Sequence, residues 1–152
     1  MNDEPSYQFI DTNILVYAHD ISAGAKHERA KRLMRHLWET QTGCVSIQVL
    51  QELYVTLTHK VAMPLGEEAV QQIITDLSFW RVHTPNAQDV LGAISLRRRY
   101  GISFWDAMIL WSAAQLGCHM LWSEDLNRGQ MYAGVQVVNP FEADFVLTSP
   151  HV

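Results

Sequence analysis

The chain has 152 residues, 48% of them hydrophobic and 18% charged, so it suits one globular domain that buries a core without disulfides or structural metal. Its net charge of −5 argues against a protein that grips nucleic acid by bulk basicity. The two cysteines, Cys44 and Cys118, give neither a disulfide framework nor zinc spacing and read as buried free thiols.

Residues 7–11 read as a first strand, and Thr12-Asn13 opens a helical stretch over 14–18. A second helix is expected over 25–40, with Ala30, Leu33, Met34 and Leu37 on its apolar face and Lys26, Arg29, Lys31, Arg32 and Arg35 elsewhere. Gly43 is expected to break it, before a short buried strand at 44–46 and a helix over 47–61. Pro64 separates that helix from one over 66–77, and residues 79–84 read as a third strand. Pro85-Asn86 opens a helix reaching Tyr100, with Asn86 as its N-cap and Asp89 three positions on. Gly101 ends it, and Ser103 caps a further helix running to Leu116. Residues 119–123 and 135–139 complete the strands. Strands alternating with helices predict an α/β domain with a mainly parallel central sheet and helices on both faces. One domain is expected over 1–152, with its core at about 7–141 and a fraying tail at 142–152.

The polar, acidic start carries no signal peptide, and no apolar run reaches the roughly 20 residues of a membrane span, so the cytoplasm is the expected compartment. None of the seven histidines pairs with another at ligand spacing. Trp105 and Trp111 read as core residues of a buried helix and Trp38 and Trp80 as lying at helix or strand ends, with base stacking by any of them the minor alternative.

The acids carry the chemistry. Open α/β sheets bind ligands beyond the carboxyl ends of their strands. Asp11 ends the first strand, Glu52 lies early in the helix after the second, and Glu124 and Asp125 follow the fourth. Asp106 lies in the first turn of the helix capped by Ser103, where Ser103-x-x-Asp106 also reads as a capping box. Each acid alone has a structural explanation: a strand end, a solvated helix face, a cap, or turn chemistry before Asn127-Arg128-Gly129. The neighbours weigh against that explanation for two of them. Asp106 sits within Phe104-Trp105-Asp106-Ala107-Met108-Ile109-Leu110-Trp111, a helix apolar on nearly every side, and Asp11 lies between Phe9-Ile10 and Ile14-Leu15-Val16. A carboxylate in such surroundings is costly unless it is paired, hydrogen-bonded or on a metal. Few basic residues lie nearby, which makes a divalent cation the simpler counter-charge. Hard oxygen donors without histidine or thiolate suit Mg²⁺ or Mn²⁺, and such ions bind phosphate oxygens, activate water and stabilise a leaving oxygen.

Four segments then resemble the successive signatures of PIN-domain nucleases: Phe9-Ile10-Asp11-Thr12-Asn13-Ile14-Leu15, Gln51-Glu52-Leu53, Ser103-Phe104-Trp105-Asp106-Ala107 and Ser123-Glu124-Asp125-Leu126. Asn127-Arg128-Gly129-Gln130 and residues 135–141 are also similar to the VapC-like toxins of bacterial toxin–antitoxin pairs. The resemblance implies a three-layer α/β/α sandwich and an Mg²⁺- or Mn²⁺-dependent endoribonuclease whose ligands are Asp11, Glu52, Asp106 and Asp125. It implies that Asn13 and Ser123 orient those carboxylates, with Ser123 standing where threonine is common, and leaves Glu124 as a possible extra acid. It further implies an RNA substrate, a homodimer and a cognate antitoxin. Hydrolysis would proceed in line, leaving 5′-phosphate and 3′-hydroxyl ends without a protein nucleophile. Positive charge for RNA phosphates is expected from Arg97, Arg98 and Arg99 ahead of the site helix, or from the basic helix over 25–40.

Two other classes fit part of the pattern. A haloacid-type phosphatase wants a second aspartate two residues after Asp11, where Asn13 stands, and a receiver domain wants a lysine near the last strands, whereas none follows Lys60. A non-catalytic RNA- or protein-binding module on the same fold is the remaining alternative, and four intact carboxylates speak against it.

Overall fold

A computed structural model describes residues 5–126 and 129–142. Asn127, Arg128 and the tail from 143 onward, where fraying is expected, lie outside the described residues. The chain begins with β1 (Gln8–Ile10), α1 (Thr12–His19), a 3₁₀ turn at Ile21–Ala23, α2 (Ala25–Thr40) and β2 (Gly43–Ser46). Next come α3 (Ile47–Val55), continued by a π-helical turn at Thr56–Lys60, then α4 (Glu67–Leu77), β3 (Arg81–His83) and α5 (Ala87–Tyr100). The last elements are α6 (Phe104–Gln115), β4 (Met120–Trp122), β5 (Met131–Tyr132) and β6 (Val135–Val138).

The strands form one sheet in the order β3-β2-β1-β4-β6-β5, parallel except for the β5–β6 pair. Right-handed crossovers put the helices joining β1 to β2 and β2 to β3 on one face, and α5 and α6 on the other, giving three layers. The core lies against both faces of the sheet. Phe9, Leu121 and Val137 from the strands and Leu33, Leu37, Leu53 and Leu110 from the helices are fully buried. Among the described residues no helix is long and apolar enough to cross a membrane.

Local signals place most boundaries. Helix α2 spans the expected residues, and Asn86 and Asp89 form a complete capping box on α5, whose end is set by Gly101 at φ 65°. The break after α2 corrects the expectation. Gln41, not Gly43, takes the left-handed conformation (φ 57°), while Gly43 lies inside β2 beneath Trp80, where a Cβ would stand 2.6 Å from the indole. Strand β5 and the 3₁₀ turn are additions to the sequence reading. Two residues are too few for an alternating pattern; the usable signal was Ala133-Gly134, whose positive φ angles of 50° and 84° close the hairpin onto β6. Both cysteines are buried and free, as expected.

The sheet order matters for function. From β1 the chain moves outward to β2 and β3, then returns to β4 on the other side of β1. The carboxyl ends of β1 and β4 therefore flank the crevice in which α/β sheets bind ligands.

Candidate carboxylate site

Asp11 is the first residue beyond β1, and its backbone N–H donates to Trp122 O at 3.0 Å, locking it to β4. It does not end the strand as expected. It is the N-cap of α1, with Oδ1 accepting from Thr12 N–H at 2.7 Å. Oδ2 accepts from the Ser123 hydroxyl at 3.0 Å. The side chain is buried, and burial pushes its carboxyl up to about 7, against the lowering effect of those two donors and with further upward pressure from Asp125 and Asp106.

Ser123 is fully buried just past β4 and serves two acids. While its hydroxyl donates to Asp11, its Oγ accepts from Asp125 N–H at 3.2 Å. Asp125 Oδ2 accepts from Asn13 Nδ2 at 3.0 Å. Burial raises the Asp125 carboxyl, and so do the charges of Glu124 and Asp106; Asn13 and Lys26 oppose the rise.

Glu52 stands on α3, which Ser46 caps, and its Oε1 accepts from Thr12 Oγ1 at 3.3 Å. Asp106 lies in the first turn of α6. The Ser103 hydroxyl accepts from Asp106 N–H at 3.1 Å, but the reciprocal bond of a capping box is not made. Among the described residues the Asp106 carboxylate has no hydrogen-bond donor, so the cap does not account for its charge.

Asp11, Glu52, Asp106 and Asp125 line one cleft of about 310 Å³, together with Asn13, Thr12, Gln48, Thr56, Lys60 and Trp105. Sequence reasoning missed Thr12, which ties α1 to Glu52, and Lys60, the one basic side chain on the cleft among the described residues. The π-helical turn that carries Thr56 and Lys60 was the available structural signal, but a single apolar pattern through 47–61 conceals it.

Glu124 is placed differently from its neighbour. Its Oε1 accepts from the Tyr17 hydroxyl at 2.6 Å and its Oε2 from Lys26 Nζ at 2.8 Å, and it does not line the cleft. Lys26 also lies over the rings of Tyr17 and Phe141. Arg29 donates to the carbonyls of Pro140 and Glu142, so two of the five basic residues of α2 are engaged within the chain. Arg97, Arg98 and Arg99 are exposed in the last turn of α5, off the cleft, and Arg99 lies over Tyr100. Trp105 departs from the core reading at 63% exposed, while Trp38, expected at an element end, is 40% exposed. Trp105 lies in the first turn of α6 and lines the cleft, while its neighbour Phe104 packs against the core; burial is continuous only from Ala107 to Leu110.

Among the described residues no three Asp, Glu, His or Cys side chains converge tightly enough to cage an ion by themselves. The donor set still fits a hard cation. Mg²⁺ keeps several of its waters and needs only one or two carboxylates, and the cleft offers four with no thiolate or imidazole. A buried Asp11 held against like charges is stabilised by such an ion in its charged form.

The family model described as PIN domain matches residues 9–131. No curated protein matches the chain significantly. A toxin–antitoxin complex from Klebsiella pneumoniae is similar at 25% identity, with a TM-score of 0.64 over 90% of this chain and 99% of that one. A VapC toxin of Mycobacterium tuberculosis that cleaves the sarcin–ricin loop is similar at 23% identity, with a TM-score of 0.60 over 78% of this chain and 89% of that one. A DNA-bound VapBC structure from Salmonella typhimurium is similar at 18% identity, with a TM-score of 0.61 over 90% of this chain and 99% of that one.

Proposed function

The chain belongs to the PIN domain family, and on that premise we propose that it is a divalent-cation-dependent endoribonuclease, the toxin of a toxin–antitoxin pair. One observation carries the reading: four carboxylates from four separate segments line a single cleft at the switch point of the sheet. Such an arrangement concentrates electrostatic repulsion beyond anything one helix cap requires, so its value lies in what it binds.

Asp11, Glu52, Asp106 and Asp125 would hold Mg²⁺ or Mn²⁺. The bound cation supplies activation of water and neutralisation of charge on the phosphate and its leaving oxygen. The residues of the chain supply position. Thr12 N–H and Ser123 fix both oxygens of Asp11, Asn13 fixes Asp125, and Thr12 Oγ1 restrains Glu52. Lys60 offsets part of the negative charge at the cleft and gives a phosphate oxygen a donor. Water adds to phosphorus as the bond to the 3′-oxygen breaks, and that oxygen leaves with a proton, giving 5′-phosphate and 3′-hydroxyl ends. Arg97, Arg98 and Arg99 would extend the phosphate contacts, since the turn at 101–102 links them to the helix of Asp106.

Likeness to structures of toxin–antitoxin complexes supports an antitoxin partner; a homodimer and a cytoplasmic location are part of the same proposal. The test is direct. Purified protein is incubated with RNA in Mg²⁺, in Mn²⁺ and in chelator, and product ends are mapped; induced expression is followed as growth. The expected result is cation-dependent cleavage and growth arrest, both abolished in Asp106→Asn. Full cleavage by Asp106→Asn, or undiminished cleavage in chelator, overturns the reading.

A further inference from the structure

We propose that Trp105 is the base-stacking platform of the cleft, on whose indole a base of the substrate lies while the adjoining phosphate reaches the carboxylates. The proposal rests on the ribonuclease reading and adds to it the residue and the kind of contact that hold the RNA.

Three observations lead to it. Trp105 is 63% exposed on a helix whose residues from Ala107 to Leu110 are buried, and it lines the cleft directly beside Asp106. An indole left in water at the rim of a carboxylate cleft gives up burial that a core position would provide. Its placement is also supported from two sides. The Phe104 ring packs edge-on against it, with centroids 5.0 Å apart and planes at 72°. Gln48 Nε2 donates to the Trp105 carbonyl at 3.4 Å, although the buried Oε1 of the same amide is left without a partner among the described residues. The third observation is charge. The cleft carries four acids and one lysine in a chain of net charge −5, so phosphate contacts alone give RNA little affinity there. Stacking of a base on an aromatic ring needs no charge and is open to every base, because each has a π-face. A duplex hides those faces, so an unpaired strand is the form that can use the ring.

The test follows steady-state cleavage of a short fluorogenic single-stranded RNA by the full chain in Mg²⁺ over a series of salt concentrations. Wild type, Trp105→Phe, Trp105→Ala and Lys60→Gln are compared, with circular dichroism confirming the fold. Trp105→Ala is expected to raise KM by about 5- to 100-fold with the salt dependence unchanged, and Trp105→Phe to recover most of the loss. Lys60→Gln is expected to flatten the salt dependence by about one phosphate contact, which a stacking residue does not do. An unchanged KM in Trp105→Ala overturns the proposal while leaving the ribonuclease reading in place. So does a variant that keeps its KM and instead loses self-association in sedimentation, which places the indole in a protein interface. Failure of the wild type to cut RNA in Mg²⁺ or Mn²⁺ overturns both.

Discussion

The Ser123 hydroxyl donates to Asp11 Oδ2 at 3.0 Å across 112 positions of sequence, from a fully buried site just past β4. The contact exists because β1 and β4 pair in parallel, with Ile10 opposite Trp122, so the next residue of each strand emerges at the same height. The same Oγ accepts from Asp125 N–H, making one hydroxyl the link between two acids of the cleft.

Replacing Ser123 by alanine should therefore disturb both acids at once. Loss of an outer contact to a metal-binding carboxylate typically costs about 10- to 100-fold in metal affinity or activity. Calorimetric titration with Mn²⁺ should show a loss of that size in Ser123→Ala and near-normal binding in Ser123→Thr, which keeps the hydroxyl.

Asp11 predicts a pH dependence with a definite sign. An exposed aspartate titrates near about 4, and burial moves this one up to about 7. A carboxyl raised in the folded state stabilises the fold fully below its unfolded value, and that contribution is lost as pH rises through the folded one. In chelator the wild type should lose stability between about pH 4 and 7, by at most on the order of 4 kcal/mol. Asp11→Asn should be flat over that range and the more stable protein at pH 8 in thermal melts. Added Mg²⁺ should raise the wild-type Tm at pH 8 and do little at pH 5, where protons compete for the same oxygens.

Glu124 and Asp125 are adjacent, yet their substitution should have different effects. Asp125→Asn should weaken Mn²⁺ binding and slow cleavage. Glu124→Gln should leave Mn²⁺ affinity closer to wild type, because Tyr17 and Lys26 occupy that carboxylate away from the cleft. Its cost should appear as a modest fall in Tm. The Lys26 partner is 45% exposed, and pairs so exposed are worth roughly 0.2–1 kcal/mol. Equal loss of Mn²⁺ binding in both variants would show that Glu124 acts in the cleft.

Gly92 should resist substitution despite its place in the middle of α5. Alanine there improves helix propensity by about 1 kcal/mol. Its Cβ, however, would stand 2.3 Å from the Trp111 ring, which Asp89 holds through a 2.9 Å bond to Nε1. Overpacking of that kind costs typically about 1–3 kcal/mol. Urea denaturation of Gly92→Ala should show a net loss of stability; a gain would mean that the indole moves freely.

Features set by local interactions were legible along the chain. Helix α2 and the Asn86–Asp89 capping box need only neighbours within a turn or two. Asp11 and Asp106 stood out because apolar residues on both sides make a buried carboxylate costly, and that is also readable along the chain. The remaining features depend on packing between distant segments. Glu52 and Asp125 reach the cleft through contacts spanning tens of residues, from Thr12 to Glu52 and from Asn13 to Asp125. Glu124 and Asp125 look alike in sequence, yet one meets Lys26 and the other lines the cleft. Trp105 reads as core because its helix is apolar, and it is exposed because it lines the cleft while its neighbour Phe104 packs against the core. Periodicity reports which face of a helix is apolar; which part of that face finds a neighbour depends on the crossovers that bring distant segments together.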